Sequence, residues 1–176
     1  MKRIASALLS ALALPACAAL QAGDAAPDFT AQASLGGKEF TYTLSEALKG
    51  GPVVLYFYPA AFTHGCTIEA HEFAQAMPKF AELGASVIGV SSDAIGTLNK
   101  FSVSECQSKF PVASDEDQRI MKAYDAVLLW KTHYASRTSY VITPDRRIAY
   151  SYTDLSPDRH VENALAALRQ WRDATH

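Results

Sequence analysis

Cys66 stands in the stretch Tyr56-Phe57-Tyr58-Pro59-Ala60-Ala61-Phe62-Thr63-His64-Gly65-Cys66-Thr67-Ile68-Glu69, where a β-branched and aromatic run gives way at Pro59 to residues with helical spacing. A cysteine in the first turn of a helix faces unpaired backbone N–H groups and the positive end of the helix dipole, and both favour thiolate over thiol. That makes Cys66 a candidate nucleophile. Thr63, three residues earlier, can set a hydroxyl beside the sulfur and is equally suited to cap the helix. Pro59 can shield the pocket from bulk water. Glu69 suits a solvated acid near the helix start as well as a functional one. His64, Cys66 and His71 do not make a metal set, because His64 and Cys66 fall on different helical faces and no fourth ligand is evident; neither metal nor cofactor is expected.

The elements that must position these groups alternate between two periods. Residues 28–31 and 39–43 read as short strands around a turn at Leu35-Gly36-Gly37-Lys38, and 44–48 as a helical turn or two. Residues 53–58 are a continuous apolar run, suited to a central strand buried on both faces. Helical spacing follows over 65–83, with a kink expected at Pro78 and an end at Gly84. A second buried strand over 85–90 and a second helix from 95, broken before Phe110-Pro111, complete a βαβ unit. Residues 117–124 fit a short helix, and 138–142 with 148–152 a hairpin around Thr143-Pro144-Asp145-Arg146-Arg147. From Pro157-Asp158 a last amphipathic helix carries Val161, Leu165, Leu168 and Trp171 on one face. This order predicts an α/β protein with a thioredoxin-like fold, a central mixed sheet flanked by helices.

Composition narrows the class of function. With 176 residues, 49% of them apolar, the chain is long enough for one domain with a real core. Its 16 basic and 18 acidic residues are too evenly balanced for a nucleic-acid-binding face. Lys2 and Arg3 precede an apolar stretch from Ile4 to Leu14 and then Pro15 and small residues, the layout of a secretory signal peptide too short to span a bilayer. Cleavage is expected after Ala22, leaving a domain over 23–176, with a cut after Ala18 as the alternative. A lipoprotein attached through Cys17 is a minor alternative, since Leu14-Pro15-Ala16-Cys17 is a loose attachment box. Either route places the product in the periplasm or outside the cell. Cys66 and Cys106 then remain in an oxidising compartment.

Pro59, Thr63 and Cys66 together match the Pro-x-x-x-Thr-x-x-Cys signature of the peroxiredoxins, thiol-dependent peroxidases. Asp28-Phe29, Val90-Ser91-Ser92-Asp93, Phe110-Pro111 with Ser114-Asp115, and Arg137-Thr138-Ser139 resemble further landmarks of that family in its order, so the resemblance covers residues 25–172. The compact chain is most similar to the bacterioferritin-comigratory, Q-type members. The resemblance implies that Cys66 is the peroxidatic cysteine, that Thr63 orients the peroxide, that Arg137 favours the thiolate and holds the peroxide oxygens, and that Glu69 braces the arginine. It implies a peroxide substrate, hydrogen peroxide or an organic hydroperoxide, and a thioredoxin-like or other thiol reductant acting on a monomer or homodimer.

Two departures matter. Many Q-type members carry a resolving cysteine five residues after the peroxidatic one, where this chain has His71. Cys106 is then the remaining candidate resolving thiol, and if it cannot reach, an external thiol resolves the sulfenate. Competing readings are a periplasmic thiol-disulfide or copper-handling protein on the same fold, weakened by the lack of a second cysteine near Cys66, and a binding protein with a static Cys66–Cys106 disulfide. The apolar run 126–130 reads equally as core or as a collar over the site.

Overall fold

The computed structural model describes residues 19–175. The proposed signal peptide over 1–22 therefore lies mostly, and Cys17 wholly, outside the described residues. The chain opens with a hairpin of β1 (Thr30–Leu35) and β2 (Lys38–Thr43), whose two-residue turn puts Gly36 and Gly37 at positive φ. The first strand starts two residues later than its composition suggests. A short helix α1 (Leu44–Ala47) and a 3-10 turn lead into β3 (Val53–Phe57), every residue of which is buried.

Helix α2 (His64–Glu82) continues unbroken through Pro78, and β4 (Ser86–Ser91) returns parallel to β3. Helix α3 (Ile95–Ser104) ends two residues before Cys106, which lies in the following turn. Strand β5 (Val112–Ser114) escapes a pattern-based reading because three residues are too few to show a period. It matters nonetheless, since it pairs parallel with β4 and antiparallel with β1 and so joins the opening hairpin to the main sheet. The remaining elements are α4 (Arg119–Ala123), β6 (Thr138–Ile142), β7 (Ile148–Thr153) and α5 (His160–Thr175).

The sheet order is β2-β1-β5-β4-β3-β6-β7, with β6 antiparallel to the central β3. This is the mixed sheet of the expected thioredoxin-like α/β fold. Alternate residues of β3 serve opposite cores: Val54 and Tyr56 pack with Phe73, Phe80, Phe101 and Leu168 of the helices on one face, while Val53, Leu55 and Phe57 pack with Leu44, Met121 and Tyr140 on the other. Burial on both faces is why the strand reads as a continuous apolar run. Leu165 and Leu168 of α5 are buried, each stabilising the fold by roughly 1.5–3 kcal/mol, whereas Val161 and Trp171 are only partly covered. Among the described residues no helix is long and apolar enough to cross a membrane.

Candidate functional site

The carboxyl end of β3 delivers the chain into the site. Pro59 ends the strand, Phe62 takes a left-handed backbone at φ 62°, and α2 begins at His64. A bulky residue in that region costs about 1–2 kcal/mol and needs outside support. The carboxylate of Asp93, just after β4, supplies part of it by accepting the Ala61 N–H at 2.7 Å and the Ser91 hydroxyl at 2.8 Å. Phe62 also lies edge-on against Phe101 of α3.

Cys66 sits in the first turn of α2 with 1% of its surface exposed. Arg137, immediately before β6, is 4% exposed and points its guanidinium at the sulfur, with Nη2 3.5 Å from Sγ. Its Nη1 pairs with the Glu69 carboxylate, and its Nε donates to the Leu155 carbonyl at 2.9 Å. All three faces of the guanidinium fork are therefore held. The positive charge of Arg137 thus lies directly against the Cys66 sulfur.

Glu69 is not a solvated acid. It is fully buried on the second turn of α2, and burial pushes its carboxyl upward while the paired Arg137 pulls it back down. For Arg137, burial opposes the charge, but Glu69 and Cys66 outweigh it and raise the guanidinium further. Thr63 occupies the N-cap position, yet its side chain makes no capping bond; the hydroxyl donates to the Ala60 carbonyl at 2.9 Å. With its proton committed there, the oxygen offers lone pairs to a donor entering from solvent. Pro59 and Thr63 line a cleft of about 300 Å³ together with Leu128, Trp130, Tyr134 and Leu155. The run 126–130 divides between the two roles: Ala126 and Leu128 are buried, while Leu129 and Trp130 are 73% and 67% exposed.

Cys106 is a free, fully buried thiol, as Cys66 is free. Burial pushes the Cys106 thiol far up, and Glu105 adds to the effect. As it stands it is a neutral group in the core, unsuited to attack until it is exposed. Both cysteines belong to one apolar cluster with Tyr56 and Tyr58. Two consecutive residues after Cys106, Gln107 and Ser108, have left-handed backbones. His71, at the position of the other expected resolving thiol, instead reaches Glu105 at 2.9 Å and links α2 to the residue before Cys106. No group of three or more potential metal ligands occurs among the described residues.

Two site residues escape a reading of the sequence. A Cβ on Gly65 would lie 3.0 Å from Arg137 Nη2, so only glycine lets the guanidinium reach the sulfur undisturbed. The signal is a glycine, a poor helix former, in the first turn of a helix. His160 is fully buried beneath Glu69, and the signal is a polar residue at the head of the apolar stripe that continues through Ala164 and Leu168.

The AhpC/TSA family model matches residues 22–151. The chain is 30% identical over 156 residues to peroxiredoxin Bcp of Escherichia coli K12, covering 86% of this chain and 97% of that one. It is 32% identical over 154 residues to the chloroplastic peroxiredoxin Q of Oryza sativa subsp. japonica, covering 87% of this chain and 69% of that one. Among solved structures, peroxidoxin BcpB from Mycobacterium tuberculosis superposes with a TM-score of 0.78 at 35% identity, over 86% of this chain and 97% of that one.

Proposed function

Because this chain belongs to the AhpC/TSA family and is a peroxiredoxin, a thiol peroxidase of the Q and Bcp type, we propose that Cys66 is its peroxidatic cysteine and that it reduces hydrogen peroxide and organic hydroperoxides. The observation that carries this is the contact of Arg137 Nη2 with the Cys66 sulfur at the start of α2. The thiolate attacks the terminal peroxide oxygen, a sulfur–oxygen bond forms as the O–O bond breaks, and the departing oxygen takes a proton and leaves as water or an alcohol. Arg137 sits where it can hold the oxygens while negative charge passes along the O–O bond. Thr63 orients the peroxide by accepting its hydrogen, and Pro59 keeps bulk water from the sulfur. Stopped-flow mixing of the reduced protein with peroxide should show rapid oxidation that Cys66→Ser abolishes; equal peroxide consumption by that variant would sink the assignment.

The sulfenic acid is resolved by Cys106, which displaces water from the oxidised sulfur to leave a disulfide that a thioredoxin-like dithiol reduces. This step needs the first turn of α2 and the turn after α3 to open. A second reading, direct attack on the sulfenic acid by an external thiol, draws support from the complete burial of Cys106. The basic and apolar start of the chain supports export to the periplasm. Within that reading, Ala19 and Leu20 pack against the core, which supports cleavage after Ala18 over cleavage after Ala22.

A further inference from the structure

The aim of Arg137 depends on a residue that does not touch the sulfur. His160, the first residue of α5, is fully buried and makes polar contacts through both ring nitrogens. Nε2 lies 3.0 Å from the Asp154 carbonyl, which can only accept, so this nitrogen carries the proton. Nδ1 is then an acceptor and takes the Ser139 hydroxyl at 2.8 Å. Burial, reinforced by the nearby Arg137 charge, pushes the imidazole down to about 4. The ring is therefore neutral at physiological pH.

Each contact leads back to Arg137. Asp154 donates its N–H to the Arg137 carbonyl at 3.2 Å, and the next residue, Leu155, accepts the Arg137 Nε–H. Ser139 lies two residues after Arg137 in β6. On the third side, Nδ1 is 3.7 Å from Glu69 Oε1, which has no hydrogen-bond partner among the described residues, while Glu69 Oε2 binds the guanidinium. Without His160, the loop that holds Nε would lose one of its anchors and the space beside Glu69 would open.

We propose that His160 is a positioning residue for the peroxidase reaction: its uncharged, Nε2-protonated imidazole ties the 154–155 backbone and Ser139 into one frame, packed against Glu69, that aims the Arg137 guanidinium at Cys66. A neutral ring suits this place. It fills the space beside the Glu69 carboxyl without adding a second positive charge that would compete with Arg137 for it.

The inference rests on the peroxidase reading above, and a double-mutant cycle separates the two. His160→Leu fills the space and removes both polar contacts; it should lower the rate of peroxide oxidation by about tenfold or more in the native background, yet by less than about twofold when Arg137 is already Met. His160→Gln, with one acceptor and one donor, should recover much of the loss. Ser139→Ala provides a milder probe should His160→Leu not fold, with a several-fold loss that again vanishes in the Arg137→Met background. Nitrogen-15 spectra of the histidines should show His160 as the Nε2-protonated tautomer. Equal losses in the two backgrounds, no loss at His160 while Arg137→Met is crippled, or an Nδ1-protonated ring would overturn the inference alone. A wild-type protein that leaves peroxide untouched would overturn both.

Discussion

At the scale of single residues, the site works by concentrating one positive charge on one sulfur. Arg137 spends its three donor edges on Cys66, Glu69 and the Leu155 carbonyl, and each contact narrows where the guanidinium can sit. Replacing it by Met should lower the peroxide rate by about 100-fold or more, the scale expected for removing a preorganised donor from a transition state. Gly65→Ala is a finer probe. Its methyl must displace Nη2 by a few tenths of an ångström, and the rate should fall roughly threefold to tenfold, equivalent to about 1 kcal/mol of lost transition-state stabilisation. Rapid-mixing kinetics on the two variants would check both numbers, and an unchanged rate in Gly65→Ala would mean that the guanidinium position is not critical. Pro59, Thr63, Cys66 and Arg137 could all be found in the sequence, because a contiguous motif and a distinctive residue type mark them. Glu69 was visible only as an alternative, since nothing in its neighbours reveals that α5 will cover it. His160 and Gly65 act through atoms of Arg137, more than 60 residues from Gly65 and more than 20 from His160, and that kind of proximity leaves no local pattern.

At the scale of elements, the open matter is how two buried thiols can meet. Helix α2 carries Cys66 in its first turn and His71 two turns into its length, and His71 grips Glu105 beside Cys106. That clasp ties together the two segments that must separate from the core for a disulfide to form. A partly exposed polar contact of this sort contributes about 0.2–1 kcal/mol, so His71→Ala should accelerate Cys66–Cys106 disulfide formation by roughly 1.5-fold to fivefold while leaving the initial oxidation of Cys66 unchanged. Quenched-flow thiol mapping would read the two steps separately; slower disulfide formation in the variant would contradict the clasp. The left-handed Gln107 and Ser108 mark the Cys106 turn as a place where regular helix has already ended. Long periodic elements such as α2, β3 and α5 were legible in advance to within a few residues. The three-residue β5 and the exact end of α3 were not, because pairing with β1 and β4 and local turn geometry decide them.

At the scale of the whole molecule, the sheet places the ends of three distant segments in one spot: the carboxyl end of β3, the entry to β6 and the start of α5. Residues 23–26 are fastened to the opposite end of the β6–β7 hairpin, where Gly23 N–H bonds the Ile148 carbonyl and Ala26 N–H the Arg146 carbonyl. Export would leave these ties intact whichever cut is used, but only a cut after Ala18 keeps the packing of Leu20. Intact-mass analysis of protein recovered from the periplasm should therefore give a chain beginning at Ala19; a chain beginning at Gly23 would show that the packing of Leu20 is dispensable, and full-length protein in the cytoplasm would refute export. The central claim, that Cys66 is a peroxide-reactive sulfur, has a direct measurement. Reduced Cys106→Ser protein is treated with one equivalent of hydrogen peroxide in the presence of a sulfenate trap and mapped by mass spectrometry. Trapping at Cys66 should be stoichiometric, and about 100-fold or more slower when Arg137→Met is added; an unmodified Cys66 with the peroxide still present would contradict that role.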